Sequence, residues 1–461
     1  MRRARASKST PYGHLQTNLR SVSLKRHLYT LAMYLAMPVI LYRLAFRGLR
    51  NRGYFKRWLE RFGWFDADIR SSIWVHAVSV GEFNAAMPLI EALLAAHPND
   101  TMVVTTITPT GSERVVKRLG SRVFHVYLPY DLPSAIKRFM ARVKPRIAVV
   151  METEIWPNLY FACNSSGIPI FIANARLSER SLRGYGPAIA LMREAVQCAT
   201  LVAAQSHGDA ERFRRLGVTE DKLQVVGNIK FDMAVPTDLD AEAAGFRQHW
   251  GALRPVWIAA STHEGEEAAV LQAHARVLGR FPDALLILVP RHPERFRAAI
   301  GLCRSFGFRT ASRSEDTLAG GDSQCFVVDT MGELLKFFAC SDAAFVGGSL
   351  DAIGGHNVLE PAALGKPVLT GPHTFNFAEV CETMLRDQAL IRVQNGAQLG
   401  TQLIRVLSDP ALAQRLSAAA LGVVERERGA VPRTLTLIAA VLAGAAYGQT
   451  INQSSNSTSA M

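Results

Sequence analysis

Glu82 is the side chain in this sequence that best fits the role of a general base. It lies in HAVSVGEFNAA (76–86), where a run typical of a buried strand gives way to Ser79, Gly81 and an alanine-rich helical stretch. We expect Glu82 in the first turn of that helix, where the helix dipole favours a carboxylate. Spacing alone leaves two roles open: an acid that complements the dipole, or a base that takes a proton from an acceptor hydroxyl. The base needs burial to restore the basicity that the dipole lowers.

A pair of carboxylates follows another apolar run, in METEIWPN (151–158). Glu152 and Glu154 stand at positions i and i+2, so they share one face of an extended segment and raise each other's pKa. Beside Trp156 they suit sugar hydroxyls or an amino-sugar acceptor, and a structural role stays open for either one alone. Comparable strand ends in NARLSER and GNIKFD carry three more polar side chains, Asn174, Arg176 and Lys230. The two cations among them could hold acceptor phosphates.

A glycine-rich stretch at 345–369 indicates a phosphate site in the second half of the chain. Paired glycines at 347–348 and 354–355 bracket a loop that runs into a helix predicted to begin near Asn357. Glycines allow close backbone approach, and a helix N-terminus offers N–H groups and a positive dipole to a phosphate. Glu360 then lies one turn inside the helix, placed for ribose hydroxyls. Tight turns also use glycine, so the signal depends on the loop's position in a Rossmann-like domain.

Two motifs ahead of this loop bear on charge and on metals. In PRHPERF, Arg291 and His292 follow a strand and are placed for an anionic ligand. The segment STHEGEE (261–267) lacks the second histidine of an HExxH zinc motif. We interpret it as the start of a helix, with Ser261 or Thr262 as the N-cap. DxD motifs occur before the first strand and in the linker, away from strand ends. We therefore expect transfer without a metal, with Arg291 and a helix N-terminus neutralising one phosphate.

The elements that would position these side chains alternate between short apolar runs and helical stretches, which is typical of βαβ units and parallel sheets. After a linker at 233–240 the series restarts, so the 461 residues predict two Rossmann-like domains. In open α/β sheets, ligands collect at the carboxyl ends of strands, where nearly every run here ends in a polar residue. The predicted strands are 74–80, 102–108, 123–128, 146–152, 168–174, 201–206 and 223–228, then 256–261, 284–290, 325–330, 343–349, 367–372 and 389–393.

The net charge of +13 is concentrated near the N-terminus. Residues 1–61 hold fourteen Lys and Arg against one acid, Glu60, while the rest of the chain carries 38 charges of each sign. Because a nucleic-acid enzyme would spread basic residues over its folded domains, we expect no nucleic-acid partner. The nineteen apolar residues 28–46, with Arg43 as their one charge, predict a membrane anchor that contacts anionic lipids. Pro38 leaves spanning and interfacial orientations open, and a helix docked on the protein itself is the alternative.

Three other features complete the expected organisation. Six scattered cysteines without a CxxC pair indicate reduced thiols in the cytoplasm. Alanine-rich sequence at about 410–446 predicts a helical segment that packs back across both domains, and the polar residues from Tyr447 predict a disordered tail.

Nine motifs in one order resemble the 3-deoxy-D-manno-octulosonic acid (Kdo) transferases of lipopolysaccharide synthesis: HAVSVGEFNAA, METEIWPN, NARLSERS, GNIKFD, LVPRHPERF, DTMGEL, FVGGSL, GGHNVLEPA and GPHTFNF. The resemblance covers about residues 28–430. It implies an α/β fold of the GT-B type, with two Rossmann-like domains facing an inter-domain cleft and an N-terminal hydrophobic membrane anchor helix. It implies CMP-Kdo as donor, the tetraacylated lipid A precursor (lipid IVA) as acceptor, and inverting transfer with no cofactor or metal. It also implies a location at the cytoplasmic side of the bacterial inner membrane.

The same resemblance assigns roles to residues. It makes Glu82, in the GE pair, the general base. Val358 departs from the family's NPLE or NLLE pattern, at a position that we expect to act through its backbone. The implied CMP contacts are Arg291, His292, Gly332, Glu333, Leu334, Asn357, Val358, Leu359 and Glu360. The implied acceptor-side or cleft residues are Glu152, Glu154, Asn174, Arg176, Lys230 and Ser261.

These inferences predict four segments. They are a basic segment at 1–61 with the anchor at 28–46, an acceptor domain at 62–235, a CMP-sugar donor domain at 236–430, and a C-terminal helix with its tail at 431–461. Two other functions stay open: a soluble enzyme like the UDP-sugar 2-epimerases on the same architecture, and a membrane-docked scaffold with a vestigial nucleotide site. The motifs leave the number of transferred Kdo units undetermined.

Overall fold

The computed structural model describes residues 24–50, 52–233, 235–236, 238–315 and 321–444. The chain divides into two compact units, the first ending at Val226 and resuming at Thr434, and the second formed by Gly227–Arg433. The expected boundary at residues 235 and 236 falls inside the second unit. The basic residues before Leu24 and the tail from Tyr447, for which the sequence predicts lipid contact and disorder, lie outside the described residues.

The first unit is built on one parallel sheet, whose strands all correspond to predicted apolar runs. Its strands are β1 Ser72–His76, β2 Thr101–Thr106, β3 Phe124–Tyr127, β4 Pro145–Met151, β5 Ile170–Ala175, β6 Leu201–Ala204 and β7 Leu223–Val225. Their order is β3-β2-β1-β4-β5-β6-β7. Strand β1 is shorter at its carboxyl end than the predicted run 74–80, because it ends at His76 and Ser79 is already the N-cap of the next helix. The order reverses between β1 and β4, which is where ligands bind in such sheets.

Helices connect these strands and cover both faces of the sheet. Several begin at the residues that favour helix N-termini, such as Ser79, Thr108 and Ser206, whose side chains accept from backbone N–H groups of the first turn. The helices of the first unit are α1 Leu24–Arg50, α2 Val80–Ala96, α3 Pro109–Leu119, α4 Pro133–Val143, α5 Pro157–Ser165, α6 Glu179–Gly184, α7 Ile189–Val196 and α8 His207–Leu216. Short 3₁₀ turns lie at Arg52–Phe55, Trp58–Phe62, Gly120–Arg122, Gly186–Ala188 and Glu220–Lys222.

The second unit repeats the plan. Its strands are β8 Val256–Thr262, β9 Leu285–Pro290, β10 Thr310–Ser312, β11 Cys325–Val327, β12 Ala343–Val346, β13 Val368–Thr370 and β14 Leu390–Arg392. They form a parallel sheet in the order β10-β11-β9-β8-β12-β13-β14, which reverses between β8 and β12. Strand β10 was not predicted, because this edge strand has three residues, Thr-Ala-Ser, and lacks an apolar run.

The helices of the second unit correct two further expectations. They are α9 Leu239–Trp250, α10 Glu264–Arg280, α11 Phe296–Ser305, α12 Leu334–Cys340, α13 Leu359–Ala363, α14 Ala378–Arg386, α15 Gly396–Ser408 and α16 Pro410–Glu427, with 3₁₀ turns at Ile229–Phe231 and Pro293–Arg295. The N-cap of α10 is His263, where Ser261 or Thr262 was expected, because β8 continues through Thr262. The alanine-rich segment forms two helices, α16 and α17 Ala430–Leu442, because Gly429 between them adopts a φ of +97°.

The predicted anchor corresponds to α1, which lies on the surface of the first unit. Its inner side is partly buried, and Met37 packs against Leu132 and Ala135. Among the described helices, α1 is the one long and apolar enough to cross a membrane, by length and composition. Its outer side exposes a row of apolar residues: Leu24, Leu28, Leu31, Leu35, Val39, Tyr42, Phe46 and Leu49.

Candidate functional site

Glu82 lies where the sequence predicts it, in the first turn of α2 after strand β1. Its backbone N–H donates to Ser79 Oγ at 3.4 Å, and its Oε2 accepts from the backbone N–H of Val78 at 2.9 Å. Burial raises the pKa of Glu82 to about 8. The hydrogen bond from Val78 lowers this pKa, whereas the negative charges of Glu152 and Glu154 raise it further. Burial therefore outweighs the groups that favour the ionised form, as a general base requires.

Glu152 and Glu154 follow β4, the neighbour of β1 in the sheet. Both carboxylates are close enough to Glu82 for their charges to raise its pKa. Burial also raises the pKa of Glu154, with a smaller contribution from Glu152, although Trp156 Nε1 donates to Glu154 Oε2 at 3.0 Å and favours ionisation. The structure thus brings together the three carboxylates that the sequence placed at two separate strand ends.

Three of the predicted site residues adopt left-handed backbone conformations that side chains rarely adopt. Glu152, Asn174 and Ser261 have φ angles of 57°, 52° and 57°. The register of β5 against β6 shifts between Ile172 and Ala175, and that of β8 against β9 shifts around Ser261. Such local strain costs about 1–3 kcal/mol per residue and concentrates at functional sites. The geometry thus marks these strand ends independently of their side-chain chemistry.

Arg176 and Lys230 occupy separate units. Arg176 follows β5 in the first unit, and its carbonyl oxygen accepts a hydrogen bond from Thr153 Oγ1, which ties the segment after β5 to the loop that carries Glu152 and Glu154. Lys230 belongs to the second unit, where its ammonium lies 5.4 Å from the ring centroid of Phe377.

In the second unit, Glu266 organises the glycine loop that follows β12. Its buried carboxylate accepts from the backbone N–H groups of Gly348 at 2.5 Å, Ser349 at 3.3 Å and Leu350 at 3.2 Å. A Cβ atom at Gly347 would lie 2.3 Å from Glu266 Oε1, so only glycine fits there. The sequence predicts a phosphate at the N-terminus of the helix after this loop and gives Glu266 no role in the site. The N–H groups of Gly348, Ser349 and Leu350 are engaged by this carboxylate of the protein itself.

Three histidines meet at the carboxyl ends of the adjacent strands β9, β8 and β12. The Nε2 atoms of His263 and His356 are 2.8 Å apart and their ring planes differ by 4°, so one imidazole donates a hydrogen bond and the other accepts it. His292 meets His263 edge to face, with ring centroids 5.3 Å apart. Burial lowers the pKa of His356 to about 4, and the charge of Arg291 adds to this effect. His356 is therefore neutral at physiological pH, beside a permanent cation.

Asn357 and Glu360 form a hydrogen-bonded pair near Arg291. Asn357 Nδ2 donates to Glu360 Oε1 at 3.2 Å. Burial raises the pKa of Glu360, against that hydrogen bond and the charge of Arg291. The helix expected near Asn357 begins at Leu359 and has five residues, so Glu360 lies in its first turn. Its dipole is correspondingly small, and the nearby positive charge that acts on Glu360 is that of Arg291.

The other implied donor-side residues divide into buried and exposed groups. Val358 and Leu359 place their side chains in the core of the second unit, so only their backbone atoms can face a ligand. Gly332 has a φ of 95°, directly before Glu333 and Leu334 at the start of α12. Arg313 binds the Glu333 carboxylate through Nη2 at 2.8 Å and Nε at 3.1 Å and lowers its pKa.

Sequence reasoning missed Glu266, His263 and His356 as members of this site. The signal was present in the HxxE spacing at the start of α10 and in the GGH triplet of the later loop. The contact between His263 and His356 could not be predicted from the sequence, because the two residues are 93 positions apart. Within the described residues, no group of three or more His, Cys, Asp or Glu side chains could hold a metal ion.

The family of this chain can be identified by comparison with known proteins. The family model for 3-deoxy-D-manno-octulosonic-acid transferase (kdotransferase) matches residues 56–233. The 3-deoxy-D-manno-octulosonic acid transferase of Haemophilus influenzae is 40% identical over 417 residues, which cover 90% of this chain and 98% of that protein. The enzyme of the same name from Bordetella pertussis is 35% identical, over 89% of this chain and 98% of that protein.

Among solved structures, the fold resembles the UDP-GlcNAc 2-epimerase of Neisseria meningitidis with a TM-score of 0.54, at 14% identity over 81% of this chain and 99% of that chain. That likeness concerns the fold of two Rossmann-like units, as in GT-B enzymes. The 35–40% identity to the two transferases, which extends over nearly the whole of each chain, shows the family as well as the fold. The chain therefore belongs to the 3-deoxy-D-manno-octulosonic acid (Kdo) transferases, and it is a glycosyltransferase.

Proposed function

We propose that this enzyme transfers Kdo from CMP-Kdo to the tetraacylated lipid A precursor, lipid IVA, by inverting, metal-independent glycosyl transfer. The observation that carries the proposal is the carboxylate cluster at the point where the strand order of the first unit reverses. There burial and two neighbouring carboxylates give Glu82 a pKa of about 8. A group of that pKa is basic enough to accept a hydroxyl proton and is partly ionised at neutral pH.

In the proposed step, Glu82 accepts the proton of a lipid hydroxyl. The hydroxyl oxygen bonds to the anomeric carbon of Kdo on the face opposite the phosphate, and the bond from that carbon to the phosphate oxygen breaks. CMP leaves with the electron pair, through an oxocarbenium-like transition state of the kind usual in glycosyl chemistry. The acceptor-side residues of the first unit are Glu82, Glu152, Glu154, Asn174 and Arg176.

On the donor side, Arg291 is the cation that stabilises the charge developing on the CMP phosphate. The neutral imidazoles of His263 and His356 lie beside it. Because one ring uses its N–H in the bond between them, the ring that accepts this bond keeps its Nδ1–H to donate to an anion without adding charge. Glu360 and Asn357 supply polar groups for the ribose, and His292, Gly332, Glu333, Leu334, Val358 and Leu359 complete the donor contacts. Two further residues of this unit, Ser261 and Lys230, are expected to be acceptor-side or cleft residues.

The exposed apolar side of α1 supports attachment to the cytoplasmic face of the bacterial inner membrane, where a lipid acceptor is found. We infer that α1 lies along the bilayer surface, since its other side is packed on the first unit. Flotation with vesicles of anionic phospholipid should capture the protein, and replacing Leu31 and Leu35 with Glu should abolish capture. Equal flotation of that variant would contradict this orientation.

The decisive experiment incubates the protein with CMP-Kdo and lipid IVA in detergent and measures the lipid mass. A gain of one or more Kdo units supports the proposal and gives the number transferred. Glu82→Gln should lower kcat by about 10²-fold or more, the usual contribution of a general base. Glu91→Gln, an exposed residue of the same helix that pairs with Arg122 at 2.7 Å, is the matched control and should keep wild-type activity. A chelator should leave the rate unchanged.

Other results would favour the alternatives. Turnover of a UDP-sugar without lipid would indicate an epimerase, and failure to bind CMP would indicate a scaffold. Wild-type turnover by Glu82→Gln would remove the assignment of the base.

A further inference from the structure

Asp131 is a buried carboxylate, outside the sequence motifs, that joins the anchor helix to the acceptor-side carboxylates. It is 1% exposed and accepts three hydrogen bonds. Tyr29 OH of α1 donates to its Oδ2 at 2.9 Å, the backbone N–H of Asn158 donates to the same oxygen at 3.0 Å, and that of Leu159 donates to Oδ1 at 2.9 Å. One carboxylate thus holds both α1 and the first turn of α5.

The first turn of α5 needs an external acceptor. Its N-cap residue, Trp156, makes no capping hydrogen bond with its side chain. Free N–H groups at a buried helix start are costly, and an acidic acceptor at that position also complements the helix dipole. Asp131 supplies this acceptor from the loop before α4. A second contact reinforces the joint, because Thr30 Oγ1 of α1 donates to Asn158 Oδ1 at 3.0 Å.

From α5 the connection continues to Glu154. The buried Tyr160 of α5 donates from its hydroxyl to the carbonyl oxygen of Glu154 at 2.9 Å. Trp156, at the start of the same helix, donates from Nε1 to the Glu154 carboxylate at 3.0 Å. Both the backbone and the side chain of Glu154 are therefore positioned by residues whose own placement depends on the start of α5.

We propose that Tyr29 and Asp131 are positioning residues that hold α5, and through it Glu154, in place beside Glu82, so that α1 is part of the acceptor site as well as an anchor. The inference rests on the proposed role of Glu82 as base. It predicts that loosening α1 from Asp131 impairs turnover even when the acceptor is supplied in detergent and no membrane has to be reached.

The test compares Tyr29→Phe with Tyr34→Phe. Both variants remove one hydroxyl from α1, but Tyr34 OH lies 3.2 Å from Ser134 Oγ at the surface and does not contact Asp131. With CMP-Kdo and lipid IVA in detergent, Tyr29→Phe should lower kcat about tenfold, because small displacements of positioned groups are costly, and should change KM by less than about twofold. Tyr34→Phe should match the wild type.

The pH profile separates positioning from general destabilisation. The charge of Glu154 is one of the causes that raise the pKa of Glu82, together with burial and Glu152. Displacing Glu154 should therefore move the midpoint of kcat/KM to lower pH in Tyr29→Phe and leave it in place in Tyr34→Phe. Hydrogen exchange should show faster exchange in the first turn of α5 in Tyr29→Phe alone.

Asp131→Asn is the second variant. Its amide would turn an N–H donor toward the backbone N–H of Asn158 or Leu159, so its effects should exceed those of Tyr29→Phe. If Tyr29→Phe matches Tyr34→Phe in kcat, pH midpoint and exchange, the proposal is wrong. A loss of kcat with an unchanged midpoint would also overturn it, since the effect would then be structural only. Failure of the proposed function is distinguishable, because Glu82→Gln would then retain turnover.

Discussion

The pKa of Glu82 leads to a quantitative prediction for the rate of Kdo transfer. A base must be ionised to accept a proton, so kcat/KM should rise with pH through a midpoint near the value of about 8 that burial gives Glu82. With that midpoint, roughly a tenth of the enzyme is ionised at pH 7 and roughly nine tenths at pH 9. The rate should therefore increase about tenfold between these two pH values.

The perturbation that tests the cause of this midpoint is Glu154→Gln. Glutamine keeps an oxygen that can accept the Trp156 hydrogen bond but removes a negative charge that raises the pKa of Glu82. The midpoint should move to lower pH yet stay above the value near 4.3 of an exposed glutamate, because burial is the larger cause and is unchanged. Glu91→Gln removes a charge from the far end of α2 and should leave the midpoint unmoved.

The assay is the initial rate of CMP release from CMP-Kdo with lipid IVA, measured from about pH 6 to pH 10 at constant ionic strength. Identical profiles at two concentrations of detergent would exclude an effect of the micelle. A profile that is flat across this range would refute the assignment of Glu82 as a base titrating near 8. A normal profile that Glu154→Gln fails to shift would refute the electrostatic link between the carboxylates.

Three further predictions concern stability and donor binding. Because Glu82 holds a proton in the folded state that an unfolded chain releases, its contribution to the free energy of unfolding should fall as pH rises from about 4.5 to about 8, and Glu82→Gln should remove that fall in urea unfolding curves. Gly347→Ala, which brings a Cβ within 2.3 Å of Glu266 Oε1, should destabilise the protein by about 2–4 kcal/mol in thermal unfolding, whereas Gly279→Ala in α10 has open space and should be neutral or slightly stabilising. Glu266→Gln should weaken CMP binding in calorimetry at least about tenfold by releasing the glycine loop, while the exposed neighbour Glu264→Gln should not.

The positions of the strands and their polar ends could be read from the sequence because both follow from local pattern. Apolar runs such as IAVVM and LLILVP give strands buried on both faces, and parallel connections place their carboxyl ends at one edge. Each of the residues Glu82, Glu152 and Glu154 could therefore be placed at that edge of the sheet from the sequence, but the fold is what brings the charges of Glu152 and Glu154 close to Glu82. β10 was missed for the complementary reason, since a three-residue edge strand carries no such pattern.

Features that depend on long-range contacts were beyond local pattern. The left-handed conformations of Glu152 and Ser261 belong to residue types that rarely adopt them, and although asparagine adopts this region more often, nothing local predicts it at Asn174. Asp131 sits in YDLPSA, which as sequence reads as an ordinary turn before a helix that begins at Pro133. Its role comes from Tyr29, which is 102 residues away. Only the folded chain brings such groups within hydrogen-bonding distance.

The glycine loop shows which of its backbone groups remain available to a phosphate. The sequence predicts the phosphate at the N-terminus of the helix after the loop, and Glu266 engages the N–H groups of Gly348, Ser349 and Leu350 at the start of the loop. A carboxylate in that position would repel a phosphate bound directly against it. In the proposed reaction, the charge on the leaving phosphate would then be stabilised by side chains, and we propose Arg291, beside the neutral His356, for this role. The loop also passes close to the histidine pair, since a Cβ at Gly348 would lie 2.8 Å from the His356 ring, so this close approach requires glycine.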